Sequence, residues 1–222
     1  MASEDDLRAL GQSSPGGFGL ATNPNFAYPP HVEYLDNALV ETIYSKTKTG
    51  LICQMPPRHG KSTLISEYFP AWFLGTFPDK QVILASYEAS FAMTWGFKSR
   101  ALLEEFGPWL FNVHVDPRKK AMGEWRVLDH KGVMNTTGVG GGLTGRGADL
   151  LIIDDYLKNA KEADSELIRD NQWEWYASTA FNRLEPGGKI CVLATRWHED
   201  DLIGRIIANA EGTDDEFIEY DS

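Results

Sequence analysis

A chain of 222 residues with 42% hydrophobic content is long enough for one sizeable α/β core and short for two. A formal net charge of −11 excludes a surface that grips nucleic acid all over, so any such contact is expected to be a local basic patch or to sit elsewhere in a larger protein. Cys53 and Cys191 both fall inside apolar runs and lack metal-ligand spacing. They read as core thiols in a reducing compartment. No apolar run has the length of a membrane span, and the N-terminus lacks a signal peptide's basic start and apolar stretch.

Residues 1–25 are rich in Ser, Gly, Pro and acidic residues and are expected to form a flexible arm. An aromatic-proline stretch, 26–31, opens into a helix that puts Val32, Leu35, Leu39 and Ile43 on one face and is ended by Gly50. A core strand over 51–54 and a helix over 63–68 follow, with Pro70 kinking that helix before it continues over 71–77. The pattern then gives a strand at 81–87 and a helix at 90–106, carrying Phe91, Trp95, Leu102 and Phe106 and stopped by Gly107-Pro108. Extended pieces near 111–115, 124–128 and 132–137 suit a local antiparallel patch. After the glycine-rich run 138–147 come a strand at 150–155, a helix at 165–181 and a turn at Pro186-Gly187-Gly188. A strand at 189–195, a helix at 200–209 and a last strand at 216–220 complete the chain. Apolar strands alternating with helices predict an α/β fold, a mainly parallel sheet with helices on both faces.

Three stretches carry chemistry. The first is Met55-Pro56-Pro57-Arg58-His59-Gly60-Lys61-Ser62-Thr63, between a strand and a helix. Gly-Lys-Ser at such a turn is the centre of a phosphate-binding loop, whose amides and helix N-terminus attract phosphate oxygens. Pro57, Arg58, His59, Gly60, Lys61, Ser62 and Thr63 form the expected cradle for ATP phosphates. Lys61 would reach the β- and γ-phosphates and Ser62 would ligate Mg²⁺. Met55 stands where the general pattern has glycine, and two prolines stiffen the loop entry. The second stretch, Leu150-Leu151-Ile152-Ile153-Asp154-Asp155, delivers two carboxylates at the end of an apolar strand. Asp154 would hold Mg²⁺ opposite Ser62, and Asp155 would orient the attacking water. The third, Lys189-Ile190-Cys191-Val192-Leu193-Ala194-Thr195-Arg196, ends in a hydroxyl and a guanidinium at the same rim, placed to sense the γ-phosphate.

The first stretch, together with Phe69-Pro70-Ala71-Trp72-Phe73-Leu74-Gly75, Val82-Ile83-Leu84-Ala85-Ser86-Tyr87, Leu143-Thr144-Gly145-Arg146-Gly147-Ala148-Asp149 and Ala194-Thr195-Arg196-Trp197-His198-Glu199-Asp200-Asp201-Leu202-Ile203-Gly204-Arg205, resembles the large terminase subunits of tailed bacteriophages. These are ATP-driven motors that thread viral DNA into a procapsid. The resemblance implies an ATPase of the additional-strand P-loop class (ASCE, RecA- and helicase-like) over residues 26–222, with the family's C-terminal nuclease domain absent from this chain. It implies ATP and Mg²⁺ as cofactors. The implied partners are double-stranded viral DNA, the portal protein, the small terminase subunit and further copies in a ring on the portal. The implied location is the host cytoplasm, transiently at the portal vertex, with no membrane partner.

The same resemblance assigns Arg58 to the γ-phosphate and Arg146 to an arginine finger supplied by a neighbouring subunit, with Arg183 and Arg196 as rivals. It puts adenine recognition near Phe26, Tyr28 and His31, where an aromatic packing strap is the other reading. Thr195 and Arg196 become coupling residues, and His198 a structural or coupling one. Asp155 is the expected catalytic base, with Glu162 the alternative because many ATPases of this class carry Asp-Glu where this chain has Asp154-Asp155. Arg118, Lys119, Lys120, Arg100 and Lys98 are candidate DNA phosphate contacts. A nucleotide-dependent assembly module, or another P-loop DNA translocase with low turnover, is the alternative function.

Overall fold

In the computed structural model, residues 2–143, 145–211, 213 and 215–221 are described; Thr144 of the glycine-rich run lies outside them. In chain order the elements are α1 (Glu4–Ser13), α2 (Pro15–Thr22), α3 (Pro30–Tyr44), β1 (Lys48–Gln54), and a π-helical turn (Thr63–Tyr68) that runs on as α4 (Phe69–Thr76). Then come β2 (Gln81–Ser86), α5 (Ala89–Leu110), β3 (Val115–Lys120), β4 (Glu124–Val127), β5 (Val133–Gly138) and β6 (Ala148–Asp154). The rest are α6 (Ala160–Ala163), α7 (Glu166–Trp175), a second π-helical turn (Tyr176–Ala180) and a 3-10 turn (Phe181–Arg183), then β7 (Leu184–Ala194), α8 (Leu202–Ala210) and β8 (Glu216–Asp221).

The strands form one sheet in the order β3-β4-β5-β2-β6-β7-β1-β8. From β5 to β8 every neighbouring pair is parallel; β3 and β4 add the antiparallel edge. The parallel registers pair Gln54 with Ala194, Asp154 with Leu193 and Ser86 with Asp154, so the exits of β1, β2, β6 and β7 share one rim. This is where open α/β sheets bind ligands. The strand that runs out into Thr195-Arg196, β7, lies between β1, which leads into the 55–63 loop, and acidic β6.

Side chains alternate across the sheet, as the period of two requires. Leu51, Cys53, Val82, Leu84, Leu150, Ile152, Cys191 and Leu193 face one core, with Phe18, Leu35, Phe69 and Trp72 from the helices. Ile52, Ile83, Ala85, Leu151, Ile153, Ile190 and Val192 face the other, with Trp175, Tyr176, Leu202 and Ile206. Both cysteines are free and buried.

The N-terminal region departs from expectation. Residues 4–22 are not a flexible arm but two capped helices: Ser3 and Asp6 form a reciprocal capping box, and Ser14 caps α2. Phe18 is fully buried, edge-on to Tyr68, Phe106 and Phe111. The glycines that suggested mobility permit close approach instead, since a β-carbon at Gly16 would lie 2.3 Å from Tyr28 and one at Gly19 would lie 2.6 Å from Phe26. Buried Asp36 fastens α2 to α3 by accepting from Ser14 Oγ (2.6 Å), Gly16 N–H (2.7 Å) and Tyr28 OH (2.8 Å).

Two punctuation signals also fail. α5 continues through Gly107-Pro108 to Leu110. Pro186-Gly187-Gly188 is not a turn before a strand but lies inside β7, at a register shift against β6 where a strand tolerates proline.

Candidate nucleotide site

Met55 is 2% exposed and packs into the core, while its N–H donates to Ala194 carbonyl and its carbonyl accepts from Thr195 Oγ1, each at 3.3 Å. A core anchor thus occupies the position where the general loop pattern has glycine. Left-handed backbone comes later, at Arg58 (φ 65°) and Gly60 (φ 88°), the conformation from which anion-binding concavities are built. The π-helical turn begins at Thr63, immediately after Ser62.

Lys61, only 5% exposed, sets its Nζ 3.2 Å from Thr195 Oγ1 and 3.5 Å from Asp155 Oδ1. Ser62 Oγ donates to Asp154 Oδ1 at 3.1 Å, and Ser66 Oγ donates to Asp154 Oδ2 at 2.7 Å. The Asp154 carboxyl is fully buried, and burial with the nearby Asp155 charge pushes its pKa up to about 7, against the pull of both hydroxyls and Lys61. Strand parity would send Asp155 to the opposite face. Its φ of 47° breaks the strand instead, and its carboxylate reaches Lys61. A non-glycine residue held there is strained, which is common where geometry serves a site.

Arg196, next to Thr195, faces the other way. Its Nη1 donates to Gln54 Oε1 at 2.9 Å, its Nη2 to Glu199 carbonyl at 3.0 Å, and its Nε lies 3.0 Å from Asp201 Oδ2. Asp201 is fully buried and also accepts from Gly204 N–H at 3.0 Å. The guanidinium therefore brackets the exit of β1 to the start of α8.

Beside the loop lies a cleft of ≈ 430 Å³ lined by Ala27, Pro29, His31, Arg58, His59 and Thr63 among others. His31 Nε2 sits 3.1 Å from His59 carbonyl, and His59 Nδ1 2.9 Å from Pro57 carbonyl. Phe26 and Tyr28 turn away from this cleft: Phe26 packs on Tyr68 with centroids 4.9 Å apart, and Tyr28 is bound to Asp36. Of the three residues expected near adenine, only His31 lines the cleft, and the two rings form a packing strap.

The family model described as "Terminase large subunit, T4likevirus-type, N-terminal" matches residues 52–221. The chain belongs to the terminase large-subunit family. Its fold is shared with the HK97 bacteriophage large terminase (15% identity, TM-score 0.58), the match covering 99% of this chain and 44% of that one. The large terminase of the thermophilic bacteriophage D6E is also similar (13% identity, TM-score 0.53), over 82% of this chain and 45% of that one. A D6E structure in complex with ADP matches at 12% identity and TM-score 0.51, over 82% and 44% of the two chains. This chain thus spans less than half the length of the solved terminases it resembles. No curated protein matches it.

Other residues expected to act in this terminase chain lie in different settings. Arg146 has an ion-pair contact with Glu124 of β4 at 3.9 Å. Arg183 buries its Nε without a hydrogen-bond partner among the described residues. Glu162 accepts Lys158 N–H at 2.9 Å and lines a second cleft of ≈ 370 Å³ with Tyr87, Tyr156 and Gln172. None of these three has a contact with Lys61, Asp154 or Asp155 among the interactions of the described residues. His198 Nδ1 accepts Asp200 N–H at 3.0 Å, a local structural bond.

The basic residues considered for DNA are mostly spoken for. Arg118 is paired with Asp116, Lys120 and Arg100 with Glu104, and Lys98 with Glu67. Pro117 and the charges on β3 also suit the protection of an edge strand.

Sequence reasoning missed Ser66, Gln54 and Asp201. A serine one helical turn beyond Ser62 and a glutamine closing β1 were the available signals.

Proposed function

We propose that this chain is the ATPase motor domain of a terminase large subunit, coupling Mg-ATP hydrolysis to movement of double-stranded DNA into a procapsid. The observation that carries the reading is Lys61 in contact with both Asp155 and Thr195, the residues that follow β6 and β7. One lysine thereby links the phosphate loop to both exits. The D6E terminase seen with ADP supports nucleotide binding in this fold.

In this reading Arg58, Lys61 and the loop amides bind phosphates, and the base occupies the cleft lined by His31. Ser62 and Asp154 fit a Mg²⁺ site, because a hydroxyl and a buried carboxylate oxygen 3.1 Å apart suit an ion that takes few protein ligands and completes its shell with phosphate and water. When bound, the ion neutralises charge on the β- and γ-phosphates. Phosphate competes with Asp155 for Lys61, and the released carboxylate accepts the proton of the attacking water. The water oxygen bonds to γ-phosphorus as the bond to the ADP oxygen breaks. Thr195, between Lys61 and Met55 carbonyl, registers that change, and Arg196 carries it to α8.

Arg146 would be the finger given to a neighbouring copy in a ring on the portal, with the small terminase subunit as a further partner, in the host cytoplasm at the portal vertex. An isolated chain should then turn over slowly, as a nucleotide-dependent assembly module would. The test is ATPase rate against protein concentration, with Arg146→Ala and Lys61→Ala assayed singly and mixed. Recovery in the mixture is expected; failure at every ratio would remove the finger from a neighbouring copy. For the base, Asp155→Asn should abolish hydrolysis with ATP binding retained, while Glu162→Gln keeps turnover. The reverse pattern would transfer the role to Glu162.

A further inference from the structure

Asp154 is fully buried, and each of its carboxylate oxygens is held by a different hydroxyl: Oδ1 by Ser62 and Oδ2 by Ser66. The two serines differ in setting. Ser62 stands at the loop, half-buried; Ser66 has no exposed surface and sits inside the π-helical turn, where Phe69 N–H reaches back five residues to Leu64 carbonyl. Single π-turns within helices recur at functional positions. Here the turn brings a second hydroxyl to the carboxylate one turn after the first.

We infer that Ser66 is a positioning residue for divalent-metal binding, fixing Asp154 Oδ2 so that Oδ1 stays directed at the ion. The inference rests on the reading of Ser62 and Asp154 as the Mg²⁺ ligands. Once Ser62 Oγ turns its lone pair to a metal, its proton is no longer committed to Oδ1, and the carboxylate keeps one protein anchor. That anchor is Ser66, at 2.7 Å and closed to water. Without it the carboxylate is free to rotate about χ2, a broad torsion for aspartate, and Oδ2 becomes a buried acceptor with no donor.

The experiment uses the full chain and Mn²⁺ as the probe, followed by electron paramagnetic resonance in the presence of ADP, with ADP binding in EDTA measured separately. Ser66→Ala should weaken Mn²⁺ binding on the order of ten-fold, the scale of one hydrogen bond to a charged group, and leave metal-free ADP binding unchanged. Ser66→Thr and Ser66→Val share any strain from an added methyl and differ in the hydroxyl. Thr should hold Mn²⁺ like the parent and Val like the alanine variant, even if both melt earlier. Parent-like Mn²⁺ binding in Ser66→Ala or Ser66→Val, or an equal loss of metal-free ADP binding, overturns the role of Ser66 alone. A parent chain that binds neither ADP nor Mn²⁺-ADP overturns the ATPase reading and this inference with it.

Discussion

The two faces of the sheet do different work with neighbouring residues of the same strands. Asp154 and Thr195 point to the face covered by the phosphate-loop helix, where they meet Ser62, Ser66 and Lys61. Gln54 and Arg196 point to the other, where they bond each other and Arg196 meets Asp201 at the start of α8. One residue of register decides whether a rim side chain touches the nucleotide loop or the bracket behind it. In the proposed motor, a shift in the loop would cross the sheet through the backbone of two adjacent residues, Thr195 and Arg196.

Variants on the two faces should separate along that line. The largest expected effect is on the loop-side face, where Asp36→Ala removes the acceptor of three donors, buried Gly16 N–H and the half-buried hydroxyls of Ser14 and Tyr28; unfolding in urea should show a loss of about 3 kcal/mol. Next, Arg196→Ala on the opposite face leaves fully buried Asp201 without its counter-ion and should cost about 2 kcal/mol, with metal-free ADP binding unchanged. Loss of ADP affinity in that variant would break the division between faces.

Asp154→Asn tests the buried acid. Its folded pKa is raised to about 7, so the associated stability is present below the ordinary carboxylate range and is lost as pH rises through about 7. In nucleotide-free protein, Asp154→Asn should match the parent near pH ~4 and exceed it by ~2 kcal/mol near pH ~8. A pH-independent difference would refute this. The smallest effect belongs to Asp200, held down to about 2 by bonds from Arg205 and Arg169. Its contribution is present above pH ~4 and fades toward pH ~2, so Asp200→Asn should lose under about 1 kcal/mol at neutral pH and nothing at the acid end.

The strands and the trio of loop, acidic exit and Thr-Arg exit were legible because burial and chemistry there are local to each stretch. The structure sorts Leu51 from Ile52 and Leu150 from Leu151 by alternation, which continuous apolar runs do not reveal. The same alternation opposes Thr195 to Arg196, which grouping them as one sensor overlooked. The helices of residues 4–22 were misread as an arm because composition treats glycine as mobility, whereas Gly16 and Gly19 are sockets for Tyr28 and Phe26, rings that lie beyond α2 in the chain. Ser66 was invisible for another reason: its value depends on a carboxylate 88 positions away needing a second donor.

The parallel pairing of β8 with β1 has a mechanical side. Residues from Lys48 to Gln54 are matched with Glu216 to Asp221, so a pull along β8 meets the ladder in shear. The bonds share such a load together, whereas peeling would part them one at a time. Tension arriving through β8 would thus be handed to the strand whose next residues are Met55 and the loop, and the candidate nucleotide site sits at the stiff end of a lap joint.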